Sequence, residues 1–183
     1  AQLTPRVQMI EIGELFSGGP APNLLTRIEN GIGRVTQIEY APSTRFALED
    51  AAAGRPWPDA LPFPVTVVAG VTVADSLGHQ YLTRFRYHDG YYDAVEKQFR
   101  GFAEAEQVDV GDSTAPTMVG HSHFDTGRGF EAMKGRLLQS SVETEDGRVF
   151  SDETTTWADP PRTLMTGTNG LAVRFAHPVA GTT

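Results

Sequence analysis

Cysteine is absent from this chain, which rules out disulfides and thiolate-ligated zinc and leaves the compartment unreadable from redox chemistry. Also missing is any run of about 18 apolar residues, the length a helix needs to cross a bilayer. Positive charge is scarce. Fifteen Lys and Arg face 23 Asp and Glu for a formal charge of −8, and the arginines are scattered singly. That excludes the clustered cationic surface that nucleic acid or an anionic membrane requires. No glycine-rich phosphate loop with its lysine occurs, and no serine sits in a Gly-x-Ser-x-Gly elbow. The sequence opens at Ala1 with no basic-then-apolar leader, as expected of an excised piece rather than a precursor carrying a signal peptide.

What is present is β-rich. At 183 residues the chain is long enough for one domain with its own core. Residues 82–107, LTRFRYHDGYYDAVEKQFRGFAEAEQ, hold three of the five tyrosines and three of the ten phenylalanines. Tyr81, Thr83, Phe85 and Tyr87 fall on one strand face and Leu82, Arg84, Arg86 and His88 on the other. His88-Asp89-Gly90 reads as a turn, and the glycine of Phe99-Arg100-Gly101-Phe102 as a bulge that re-aims one aromatic.

Before this corner, a strand is expected over residues 1–16 and a Gly/Pro loop over 17–23. A hairpin then turns at Asn30-Gly31, where both turn residues tolerate positive φ. Residues 46–53 predict a short helix, with Ser43 or Thr44 as N-cap and Gly54 as its stop. RPWPDALPFP follows as an extended arm, since its prolines cannot join a ladder; it is expected to lie over a sheet face through Trp57 and Phe63. VTVVAGVTVA reads as a strand covered on both faces, turning at Asp75-Ser76-Leu77-Gly78 into a second hairpin.

Later come a strand over 98–108, a polar loop, a strand over 117–124, and a third hairpin turning at Glu145-Asp146-Gly147. A further strand is predicted over 171–175, then a polar, unanchored tail. The three hairpins repeat strand, glycine turn and strand at irregular spacing, which predicts an extended, curved antiparallel sheet with open outer edges.

Candidates for chemistry are few. His121, His123 and Asp125 at i, i+2 and i+4 of a strand offer three ligands on one face, against a plain reading as a half-exposed polar face. Asp89, Asp93 and Glu96 lack the regular spacing of a calcium loop and read as solvated turn carboxylates. Tyr91, Tyr92 and Trp57 could stack on a sugar, or simply fill the sheet corner. No nucleophile stands beside a base, so no catalytic, cofactor or metal residue is assigned.

The runs NLLTRIENGIGRVTQIEYAPSTRF, GRPWPDALPFPVTVV, RFRYHDGYYDAVEKQFRGFAEAEQ, FDTG and KGRLL resemble the middle region of the B component of Tc insecticidal toxin complexes. They are similar also to the Salmonella plasmid virulence B protein family. The resemblance covers roughly residues 20–145. It implies a secreted, non-enzymatic structural segment, made in the bacterial cytoplasm before release. In that family an Rhs/YD-type β-shell encloses a toxic effector and a β-propeller gates its release, so the implied partners are the propeller, the shell and the effector domain.

Three stretches are expected: a first strand and Gly/Pro loop over 1–23, a hairpin array like the toxin middle region over 24–145, and a continuing β segment with a polar tail over 146–183. The fold class is all-β, an extended antiparallel sheet of consecutive hairpins with at most one short helix. A metal-dependent hydrolase using His121, His123 and Asp125, and a carbohydrate-binding β module, stand as the alternatives.

Overall fold

A computed structural model of the chain describes residues 23–182; the strand expected over 1–16 and nearly all of the loop over 17–23 lie outside them. The described elements are β1 (Arg27–Glu29), β2 (Val35–Pro42), α1 (Ser43–Ala52), β3 (Thr66–Ala74), β4 (Gln80–Asp93), β5 (Gln98–Asp109) and β6 (Met118–Asp125). A 3-10 turn (Glu131–Met133) leads to β7 (Arg136–Thr144), β8 (Val149–Trp157), β9 (Arg162–Thr166), β10 (Ala172–Phe175) and β11 (Pro178–Thr182). Strands β1 to β8 pair in chain order and β11 returns to β8, giving one nine-stranded antiparallel sheet; β9 and β10 form a separate ribbon. The all-β array of hairpins is the expected fold.

Three local readings are corrected. His88-Asp89-Gly90 is not a turn. Pairing runs from His88 with Glu104 to Gly90 with Phe102 without a register shift, and the chain reverses at residues 94–97 instead. The turn chemistry is real but local, since Asp89 does adopt φ +54. The tail is not unanchored, because β11 closes on the outer edge of β8, where a bare ladder would otherwise stand open. Strand β3 is not covered on both faces: it is half-exposed along most of its length, with only Gly70 buried, because no second layer of the described residues packs over it.

The first hairpin forms as expected but with a longer connection. Asn30 N–H donates to Arg34 C=O, closing a loop in which Gly31 and Gly33 take φ +74 and +100 and Asn30 Oδ1 accepts from Ile32 and Arg34. The bulge read from Gly101 is present: Tyr91 pairs with Gly101 and Tyr92 with Phe99. The extra residue is Arg100, so a guanidinium rather than an aromatic is re-aimed, and it pairs with Asp93 at 2.9 Å.

The sheet divides in the middle. Strands β3 and β4 pair only between Gly70–Arg84 and Ala74–Gln80, whereas β2 and β3 continue to Pro42–Thr66 and β4 and β5 to Asp93–Gln98. Across the opening Tyr87 Oη donates to Val68 C=O at 3.0 Å. The insertion between β2 and β3 packs here. Its base is fastened by Ser43 N–H donating to Val65 C=O at 2.7 Å and Val65 N–H donating to Ser43 Oγ at 3.0 Å.

Ser43 therefore opens the helix rather than capping it, and Pro42 occupies the cap position with no side-chain bond. The helix stops where expected. Gly54, at φ +81, donates to Ala51 C=O while Arg55 N–H donates to Asp50 C=O, the paired closure that a left-handed residue after a helix permits.

From there the proline arm runs over β4 as predicted. Trp57 sets its edge on Phe102 at 5.9 Å and Phe63 on Tyr92 at 5.5 Å, while Phe46 of α1 meets Tyr87 at 5.7 Å. Gly90 lies beneath: a Cβ there would come 2.9 Å from Leu61 Cδ1 and Trp57 Cζ3. Gly90→Ala is expected to lift the arm and destabilise the chain by about 1–3 kcal/mol, the usual cost of overpacking; a urea midpoint equal to the parent's would contradict this packing.

Four connections are held by aspartates whose carboxyls titrate below their ordinary range. The His79 side chain does this for Asp75, the Glu96 and Val95 N–H groups for Asp93, and the hydroxyls of Thr114 and Thr144 for Asp112 and Asp146. Because the folded-state values lie below the unfolded value near 3.8, the stability they contribute is present at neutral pH and is lost as pH falls through the folded-state values. The thermal midpoint is expected to drop between about pH 5 and pH 3, less steeply in the double variant Asp93→Asn, Asp146→Asn; equal slopes would refute the assignment.

Candidate functional site

Strand alternation and register assemble a polar face where the sheet divides. His88 pairs with Glu104, which pairs with His123, and one step along Arg86 pairs with Glu106, which pairs with His121. Since every second residue shares a face, these imidazoles, carboxylates and the guanidinium stand side by side. Helix α1 adds Asp50, 5% exposed. Its Oδ2 accepts from Trp57 Nε1–H at 2.6 Å and lies 2.7 Å from His88 Nδ1.

His88 is the centre of this cluster, only 4% exposed. The Asp50 contact assigns the Nδ1 proton, so Nε2 faces the other way, 3.6 Å from Glu106 Oε1, with no hydrogen-bond partner among the described residues. Arg55 Nη2 lies farther from the same Nδ1, at 3.2 Å, and 3.8 Å from Asp50 Oδ1. The Glu106 carboxylate, then Asp50, hold the His88 pKa above its ordinary value against the opposing effect of burial. The same imidazole holds Glu106 below the usual range. Burial, with the Asp50 and Glu104 charges, pushes Asp89 up. Farther along the face, His121 sits 3.8 Å from Glu106 Oε1 and 3.7 Å from Glu143 Oε1.

The structure does not bring His121, His123 and Asp125 together as a ligand set. A bulge opposite His123 and Phe124 interrupts the register, and Asp125 turns into the next corner, where its Oδ1 accepts from Gly127 N–H at 2.7 Å. Among the described residues, the one group of three whose ligand atoms lie within 4.8 Å of one another is His88, Glu104 and Glu106. Asp93 is spent on its turn and on Arg100.

The aromatic candidates are likewise engaged within the fold. Trp57 packs on Phe102, Tyr92 meets Phe63, and Tyr91 lies under the Arg128 guanidinium at 4.4 Å, which also pairs with Asp59 of the arm. Sequence reasoning missed the Asp50–His88 pair because its members are 38 residues apart and His88 stood in an apparent turn. The acidic pair on β5 at i and i+2 was the one visible signal.

A family model described as the insecticide toxin TcdB middle/N-terminal region matches residues 18–127. No curated protein matches by sequence. Among solved structures, the crystal structure of TcdB2-TccC3 superposes with a TM-score of 0.77 at 19% identity, over 88% of this chain and 11% of that one. The TcdB2-TccC3-TEV structure gives 0.78 at 21%, over 88% and 10%. A Tc holotoxin pore of Photorhabdus luminescens gives 0.77 at 20%, over 86% and 10%. This chain thus spans about a tenth of the chains it matches, and the likeness to them is one of fold. The family model takes in more than half of the residues, from β1 to β6 with the helix and arm between them: the chain belongs to the insecticide toxin TcdB middle/N-terminal region family.

Proposed function

We propose that the chain is a non-enzymatic structural segment of a secreted Tc-type toxin complex, a stretch of β-wall that helps enclose and deliver an effector. In this reading residues 24–145 act as the middle-region unit and 146–183 carry the sheet onward. The partners are the other domains or subunits of such a complex: a β-propeller, an Rhs-type shell and an effector domain. Among the described residues no helix is long and apolar enough to cross a membrane.

The observation that carries this proposal is the single layer. A sheet normally buries at least one face against a second layer. In this one the apolar side chains buried among the described residues are few, chiefly Phe46, Met133, Ala41 and Ala176. Large apolar residues stay exposed instead, notably Phe150, Leu164, Met165 and Phe175 toward the carboxyl end. Among the described residues, the outer strands β1 and β11 each present an unpaired edge. Apolar surface and free ladder groups of this kind are what a neighbouring segment would cover.

Light scattering coupled to size exclusion tests this on the isolated chain. The expected result is a mass above that of a monomer, rising with protein concentration, as edges and apolar faces pair. A clean monomer over the whole concentration range would argue against a wall segment.

A further inference from the structure

We propose that His88 Nε2, Glu104 and Glu106 bind one divalent transition cation of the zinc class, a structural site that ties β4 to β5 beneath α1. Three independent features of the cluster support it. The first is the imidazole itself: its side chain is 5% exposed, and its Nε2 is buried without a hydrogen-bond partner. A buried polar atom left unsatisfied is costly and calls for an explanation.

The second is spacing. One atom each from His88, Glu104 and Glu106 lie within 4.8 Å of one another, and the 3.6 Å between Nε2 and Glu106 Oε1 is too long for a hydrogen bond. Two ligands of a tetrahedral zinc ion, each bound at about 2.0–2.1 Å, stand roughly 3.4 Å apart. A small relaxation of two side chains therefore places both on one ion. The strands that carry them are already paired, His88 directly with Glu104, so little order is lost on binding.

The third is the layer behind the ligands. His88 Nδ1 lies 2.7 Å from Asp50 Oδ2, a shorter contact than the 3.2 Å to Arg55 Nη2 and the one that assigns the proton to Nδ1, and Asp50 is itself held by the Trp57 N–H at 2.6 Å. A carboxylate on the far nitrogen of an imidazole fixes the tautomer that leaves the near nitrogen's lone pair free, the arrangement usual behind histidine ligands of zinc. One imidazole with two carboxylates and no thiolate suits zinc and its neighbours, whereas calcium asks for six or more oxygens. A solvent molecule would complete four-coordination. The two ligand carboxylates balance the dication's charge.

The test uses the whole chain, stripped with a chelator and titrated with zinc chloride by calorimetry, with the thermal midpoint followed in parallel. One equivalent is expected to saturate the chain and raise the midpoint. Because His88→Gln and Asp50→Asn endanger folding, the informative variant is Glu104→Gln, which leaves Asp50, His88 and Trp57 untouched. It is expected to weaken zinc binding about tenfold or more, while His79→Gln, in the exposed β3–β4 turn, leaves it unchanged. Cobalt(II) in place of zinc is expected to give the visible absorption of a tetrahedral site. Absence of stoichiometric binding, or affinity unaffected by Glu104→Gln, would overturn the proposal and leave His88 as an imidazolium between Asp50 and Glu106.

Discussion

The Asp50 carboxylate accepts from the Trp57 indole and from the His88 imidazole at the same oxygen, at 2.6 and 2.7 Å, and so fastens three separate pieces of chain at one point. Asp50 comes from the helix, Trp57 from the proline arm, and His88 from the longest strand. At this junction β3 and β4 have parted, and Asp50 supplies a buried polar tie between helix, arm and β4 beside the more exposed Glu49–Arg86 pair. The aromatic contacts follow from it. Once Trp57 is fixed over Gly90, Phe102 can meet both Trp57 and Tyr87, and Phe63 can reach Tyr92. A charged group buried this deeply is tolerable because two donors meet one oxygen and the Arg55 guanidinium stands 3.8 Å from the other.

Elsewhere the structure behaves as a sheet without a second layer. Its stability lies in ladders, glycine corners and aspartate-capped turns, with few side chains removed fully from water. That pattern suits a member of the TcdB middle-region family better than it suits an independent globule, since an uncovered sheet gains most from a neighbour. Tyr91, Tyr92 and Trp57 are engaged in packing where the helix and arm cover the sheet.

Much of the architecture was legible in the sequence because it is written in local signals. Alternating apolar residues marked the strands, Asn-Gly and Asp-Gly marked corners, and the proline run could only be an arm. The errors arose where tertiary contact overrides local chemistry. His88-Asp89-Gly90 has every mark of a turn, yet its glycine is demanded by the arm pressing from above, and the strand passes straight through. The tail residues 178–182 carry little β signal of their own and are strand only because β8 offers an open edge. The cluster at His88 was invisible since its parts are joined by the fold, and His121, His123 and Asp125 looked like a site because alternation ignores a bulge.

Amide hydrogen exchange, compared between the chain alone and the same chain assembled with the remaining segments of a Tc toxin complex, tests most directly whether this sheet is part of a larger wall. The account predicts that β4, β5 and β6 are protected in both states, while β1 and β11 exchange rapidly alone and become protected on assembly. Equal protection of those edge strands in the two states would contradict it.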